Sequence, residues 1–343
     1  MTLAPILLFV YNRPWHTQQT VEALQKNDLA PESDLFIFAD GPKENATAEQ
    51  KEKIRQVREY IHQITGFKSI YIEEANKNKG LANSVVHGVT KVINRSGAVI
   101  VLEDDIITHR FFLRFMNEAL NFYEHDSRVY NIGAYIENIG IPKDYDKDVF
   151  AAYRCETQGW GTWKDRWTKY DHEVNHFEIL KTRKIKDVSK FNRGGDDLFL
   201  MLEALERGEI DSWALRWQHC MFLNNAFCVR PVGNLILNIG FDGTGVHSDD
   251  RGQDAWTEMS APMYNKDYYN FQMVKNIDID PKINNRLIHY FSRPDFFSRK
   301  KKLYAILFNF GRYPLYHPCT TASTLQLLKK RIKAWYNKYF RLW

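Results

Sequence analysis

The sequence predicts an α/β protein with a mostly parallel central sheet and helices on both of its faces. Two observations carry this expectation. Short apolar runs alternate with stretches of helical periodicity, joined by brief polar connections. Three of those runs lead directly into polar clusters: Asn12-Arg13, Asp40-Gly41 and Glu103-Asp104-Asp105. Ligands of parallel sheets bind beyond the carboxyl ends of the strands, so the three clusters should meet in one crevice.

The first run, residues 5–11, is a continuous apolar segment of the kind buried on both faces. Pro14 suits the first turn of a helix, which should continue to about residue 26. Residues 34–39 form the second strand, stopped by the turn signal Asp40-Gly41-Pro42. A charged helix is expected over 47–64, a strand over 69–73, a helix over 80–94 and another buried strand over 98–102. A Phe-rich helix follows, then a strand over 129–134. The second half is less regular and richer in Trp and Gly. It contains Gly159-Trp160-Gly161, a helix expected over 196–207, a helix starting near 210 and the Gly-rich loop 238–247. We read three parts: a regular first half over 1–135, a less regular second half over 136–295, and a basic extension over 296–343.

Composition narrows the class. With 44% hydrophobic and 14% aromatic residues in 343, the chain can bury a large core, which excludes wholesale disorder. Cys155, Cys220, Cys228 and Cys319 show no CxxC pairing, so structural zinc and a disulfide framework are not expected. The apolar opening is interrupted by Asn12-Arg13-Pro14 and has no basic region before it, so neither a secretory signal nor a membrane span is expected. A cytoplasmic protein, peripheral at the inner face of the plasma membrane, is the expectation.

Glu103-Asp104-Asp105 is the sharpest chemical feature. Adjacent carboxylates repel, and each is costly to desolvate unless something cationic gathers them. In an extended segment Glu103 and Asp105 would share one side, a donor pair suited to Mg²⁺ or Mn²⁺ carrying a diphosphate. The competing reading is a solvated acidic turn. Asp40 offers a ribose or base contact, or plain turn chemistry; Arg13 is a fixed cation for a base or phosphate. Asn78 and Gly80, opening a helix, would present backbone N–H groups to an anion, or merely start that helix. Asp211 is a candidate general base, although a helix-capping Asp is the commoner role; Asp196 and Asp197 read the same way. His247 after the Gly-rich loop is a candidate metal ligand. Trp160, Trp163 and Trp167 read mainly as core.

In this order the motifs resemble those of the type A glycosyltransferases. Asp40-Gly41-Pro42 looks like their strand-end Asp, the 78–83 segment like their Asn-x-Gly-x-x-x-Asn region, and Glu103-Asp104-Asp105 like their Asp-x-Asp motif in its Glu-Asp-Asp form. That form is similar to the N-acetylglucosaminyltransferase that initiates complex N-glycans and to bacterial family 2-like sugar transferases. Tyr11-Asn12-Arg13, Tyr153-Arg154-Cys155 and Asp211-Ser212-Trp213 with Arg216 extend the likeness over residues 5–250. The resemblance implies a Rossmann-like type A fold, with residues 1–135 as the nucleotide-sugar-binding half and 136–295 as the acceptor-binding half, and an inverting, metal-dependent transfer from a UDP-linked or related nucleotide-sugar to a hydroxyl. It implies Asp105 on the metal with Glu103 assisting through water, Asp104 and Asp40 on the nucleoside, Arg13 beside the nucleotide, and Asp211 as base. One departure stands out: an extra residue between Trp213 and Arg216 shifts the register toward Ser212, which cannot serve as a base. A sugar nucleotidyltransferase would need a Gly-rich phosphate loop after the first strand, where this chain has Asn12-Arg13-Pro14. The remaining alternative is a non-catalytic sugar-binding or membrane-docking protein.

Residues 296–343 hold eleven Lys and Arg and no Asp or Glu, which leaves −6 of the chain's net +5 on residues 1–295. Leu328, Ile332, Trp335, Tyr339 and Leu342 form a helical stripe within this segment. A basic amphipathic helix of this kind suits an anionic membrane surface, or packing on the catalytic domain. Lipid-linked saccharide acceptors would give membrane contact a purpose. No nucleic-acid recognition module is visible.

Overall fold

The computed structural model describes residues 3–243, 260, 262, 263 and 271–292. His247, Cys319 and the basic extension therefore lie outside the described residues. The chain divides into two units, Met1–Phe291 and Ser292–Trp343; the first is the one described below.

Its centre is an eight-stranded, mostly parallel sheet flanked by helices. The strands are β1 (Ile6–Val10), β2 (Asp34–Ala39), β3 (Ser69–Glu74), β4 (Ala98–Glu103), β6 (Val129–Gly133), β7 (Val149–Ala152), β8 (Trp160–Trp163) and β9 (Phe227–Pro231), in the order β3-β2-β1-β4-β8-β6-β9-β7. β1 pairs in parallel with β2 on one side and β4 on the other, and β2 with β3. Only β8 and β7 run against their neighbours. The chain walks outward from β1 to β3, then returns to the other side of β1 with β4. The strand order thus reverses between β1 and β4, the position where open α/β sheets form a ligand crevice. The sheet runs unbroken through both halves, because β8 lies between β4 and β6.

The apolar strands are buried on both faces, as their composition requires. Ile6, Leu8 and Val10 join a core shared with α1 (Pro14–Gln25), α2 (Ala48–Ile61) and α4 (Phe112–Tyr123). Leu7 and Phe9 face the opposite way, into a core shared with α3 (Leu81–Ser96) and α9 (Trp213–Leu223). This is the period-two alternation of a strand, and each such side chain contributes about 1.5–3 kcal/mol on burial. Local signals set the helix starts. Pro14 occupies the first turn of α1, and Thr47 with Gln50 forms a reciprocal capping box on α2. Trp160, Trp163 and Trp167 are buried, with Trp160 stacked on Trp213 at 4.9 Å.

A third, smaller core lies among α6 (Glu178–Thr182), α7 (Ile185–Phe191), α8 (Leu198–Glu206) and α9, around Phe177, Leu180, Phe191 and Leu202. The short α5 (Lys164–Trp167) continues β8, and α10 (Pro281–Phe291) packs beside Asn192–Gly194. A two-stranded ribbon of β5 (Ile106–Thr108) and β10 (Ile236–Asn238) completes the unit. No helix among the described residues is long and apolar enough to cross a membrane.

Candidate active site

The acidic triplet is a turn, which corrects the extended geometry expected from sequence. β4 ends at Glu103, and Asp104 and Asp105 turn the chain into β5. The arrangement is therefore set by what surrounds the turn, not by strand alternation. Arg13, from the end of β1, lies across it: its Nη1 donates to Asp105 Oδ2 at 2.9 Å and lies 3.6 Å from Asp104 Oδ1. Thr20 Oγ1, on α1, donates to the Asp104 carbonyl at 2.8 Å. The carboxylate of Asp104 accepts from the backbone N–H of Tyr11. The carboxyl ends of β1 and β4 thus meet at the reversal of strand order.

Electrostatically the turn is under-compensated. Burial, then the neighbouring Asp105 and Asp104, push the Glu103 carboxyl well above its ordinary range; Arg13 opposes this. Burial and Asp105 do the same to Asp104. One guanidinium faces three carboxylates, and its Nε and Nη2 are buried without a hydrogen-bond partner among the described residues. Buried donors in that state cost free energy, and a nucleotide's phosphate oxygens would satisfy them.

Ile239 and Gly240, at the start of the Gly-rich loop, lie against this turn. The Ile239 N–H donates to the Asp105 carbonyl at 2.9 Å, continuing the β5–β10 ribbon. At Gly240 a Cβ would lie 2.1 Å from Asp105 Oδ2, so only glycine lets the loop approach this carboxylate. His16, two residues beyond Pro14, was not singled out from sequence, yet it is 5% exposed and its Nε2 lies 3.1 Å from Asp242 Oδ2. Burial, with Arg13 beside it, lowers the His16 pKa. Its position one helical turn after Arg13 was the available signal.

Asp40 lies at the end of β2 and uses both oxygens locally. Oδ1 accepts from the N–H groups of Gly41 and Lys79, each at 2.8 Å; Oδ2 accepts from Asn78 Nδ2 at 2.9 Å and the Gly80 N–H at 3.1 Å. The Gly80 donor expected to meet an outside anion is thus directed at Asp40's own carboxylate. Gly41 is required for packing as well as for turning: a Cβ there would lie 2.6 Å from the backbone of Ala75 and Lys77. Asp40, Asn78 and Gly80 are thus joined in one hydrogen-bonded unit.

Asp211 takes a different local role from the cap that sequence favoured. Ser212 is the N-cap of α9, its side chain accepting from the Leu215 N–H at 3.3 Å. The Asp211 carboxylate, 64% exposed, pairs with Arg216 Nη1 at 2.7 Å. Asp197 likewise makes no cap hydrogen bond; it receives Arg154 through two bonds of 2.8 Å. The described contacts join Arg13, Asp104 and Asp105 on one side, and Asp40, Asn78 and Gly80 on another. They do not extend from either group to Asp211.

Among the described residues no three His, Cys, Asp or Glu side chains form a ready metal cage. Mg²⁺ and Mn²⁺ fit this turn in a more limited sense. Such cations keep several waters and need only one or two carboxylates together with substrate phosphates. The crowded carboxylates and the orphaned Arg13 donors match that requirement.

No known protein family and no curated protein matches the chain. Solved structures with similar backbones include S. aureus TarS, at TM-score 0.40 and 10% identity over 68% of this chain and 36% of that one. The fragment TarS 1-349 gives 0.36 and 9%, over 68% and 59%. A protein described as a nucleotide-diphospho-sugar transferase, from Desulfovibrio desulfuricans G20, gives 0.25 and 16%, over 38% and 58%. Each alignment spans less than two thirds of the neighbour's length. Likenesses this loose carry no functional weight.

Proposed function

We propose that the chain is an inverting glycosyltransferase of the type A fold, moving a sugar from a UDP-linked or related nucleotide-sugar to an acceptor hydroxyl. The observation that carries the reading is the meeting of Arg13 with the Glu103–Asp105 turn where the strand order reverses. In this reading the Arg13 Nε and Nη2 donors face the donor's diphosphate, and Asp104 lies toward the ribose. Asp40, with Asn78 and Gly80, walls the nucleoside side. Asp105, with Glu103 acting through water, would hold Mg²⁺ or Mn²⁺, which when bound stabilises the charge on the departing nucleoside diphosphate. His247 remains a candidate ligand on sequence grounds alone.

Asp211 serves as the base, oriented by Arg216. It takes the proton of the acceptor hydroxyl as that oxygen bonds to the anomeric carbon, and the bond from that carbon to the diphosphate oxygen breaks on the opposite face. The acceptor is a saccharide or lipid-linked saccharide of cell-surface polysaccharide or glycolipid synthesis. The basic extension would serve as a contact with an anionic membrane at the cytoplasmic face.

Calorimetry with UDP and Mn²⁺ tests the core of this reading. Wild-type protein should bind UDP only with the cation present, and Asp105→Ala should weaken that binding by about 2 kcal/mol or more. Equal binding by the two proteins would remove the metal assignment. Asp211→Asn should bind UDP as wild type does yet slow transfer by ~10²–10⁴-fold; an unchanged rate means another group is the base.

A further inference from the structure

A cleft of about 510 Å³ opens in the helical layer of the second half, within the ~300–1,000 Å³ range of small-ligand sites. Val174, Phe177 and Leu180 supply its apolar lining. Around them stand two carboxylates, Glu173 and Glu206, and two cations, Lys181 and Arg216. The apolar side is firm, because Phe177 stacks on the buried His219 ring at 3.7 Å.

Arg216 is the most constrained of the charged groups, being 9% exposed. Its Nε donates to the His172 carbonyl at 3.0 Å, and its Nη1 to Asp211 at 2.7 Å and the Ser212 carbonyl at 3.1 Å. Those bonds fix the guanidinium plane and leave Nη2 without an acceptor among the described residues. Lys181 and Glu206 are tied only to exposed partners, Glu178 and Arg183, each at 2.8–2.9 Å. Exposed pairs of this kind hold weakly and exchange readily.

The lining selects a ligand class by elimination. An anion would meet Glu173 and Glu206, and a cation would meet Lys181 and Arg216. A purely apolar molecule would desolvate all four charges without satisfying them. A sugar ring satisfies both halves: its C–H face lies on the apolar side chains, and its hydroxyls donate to the carboxylates and accept from the cations. We propose that this cleft is a saccharide-binding subsite, with Arg216 Nη2 as its fixed donor. Because the same guanidinium holds Asp211, the bound sugar is the acceptor; that identification rests on the transfer reaction proposed above, whereas the sugar binding does not.

Saturation-transfer NMR on the full chain, without donor or metal, tests the subsite. The probes are methyl β-glucoside, methyl β-galactoside, methyl N-acetyl-β-glucosaminide and maltose. At least one should show transfer from wild-type protein. Val174→Trp, which fills the cleft, should reduce that signal about tenfold; Glu206→Gln, an exposed change that leaves the core intact, should reduce it about threefold. UDP binding with Mn²⁺ should be the same in all three proteins. Silence of every probe on the wild type overturns the subsite, as does a signal that Glu206→Gln leaves unchanged. UDP binding with a variant-independent sugar signal removes the subsite and leaves the transferase reading standing. A variant-sensitive sugar signal without UDP binding does the reverse.

Discussion

Two charged clusters, both largely buried, are neutralised to different degrees. At the end of β4, one guanidinium, that of Arg13, faces Glu103, Asp104 and Asp105. In the second half, two guanidiniums face three carboxylates and are matched closely. Arg154 takes Asp197 through two bonds and lies over the Phe291 ring at 3.6 Å. Arg230, with no exposed surface, lies 2.9 Å from Glu137 and 3.2 Å from Glu156, and also donates to the Arg154 and Cys155 carbonyls. Each carboxylate of the second cluster meets a guanidinium, although Arg230 Nε is itself buried without a hydrogen-bond partner among the described residues and burial pushes the Glu156 carboxyl up to about 7. The cluster fixes the path of residues 153–158 across β6, where Glu156 packs on Gly133. The first is deficient in cation and keeps donors unpartnered. The more fully neutralised cluster holds the fold, and the one with the larger deficit of cation is the candidate for a ligand.

The sharpest way to break this contrast is to remove one cation from the second cluster. Arg230→Met leaves Glu137 and Glu156 buried without their partner and should cost about 3–5 kcal/mol in chemical denaturation. A loss below about 1 kcal/mol would mean that Arg230 is not what neutralises Glu137 and Glu156. The pH dependence of the same half sharpens the picture next. Burial pushes the pKa of His219 down to about 4 against an ordinary 6.5, so the folded state holds it neutral. The unfolded chain binds that proton first. Stability is therefore full above pH ~6.5 and falls as the pH drops toward 4, by about 2 kcal/mol between pH 7.5 and 5. His219→Phe should flatten that part of the curve; an unchanged slope would assign it to other groups. The smallest expected effect is the most telling. Asp104→Asn removes one of three crowded carboxylates and should raise the melting temperature without divalent cation by roughly 2 °C, about 1 kcal/mol. The same change should weaken UDP binding in Mn²⁺. A fall in melting temperature would place Asp104 with the stabilising charges instead.

Much of the first half was legible from sequence because its signals are local. The run 34–39, apolar from Leu35 on, coincides with β2, and Pro14 opens α1 as expected. The carboxyl-end clusters followed from strand ends alone, and two of them do meet, through Arg13 and Asp105. Asp40 was legible as a strand-end carboxylate but not as the anchor of residues 78–80, since its partners are 38–40 positions away. Asp211 and Asp197 read as helix caps from their neighbours in sequence, whereas their carboxylates take Arg216 and Arg154.

The sequence by itself determined the alternation of strands and helices, the buried character of the strands and the candidates at their ends, because periodicity and turn chemistry act over a few residues. Only the tertiary structure decided which charges meet. Arg13 reaches Asp105 across 92 positions and Arg230 reaches Glu137 across 93. Pairings at that range depend on strand order and on a side chain's reach within a packed interior, neither of which leaves a local mark in the chain.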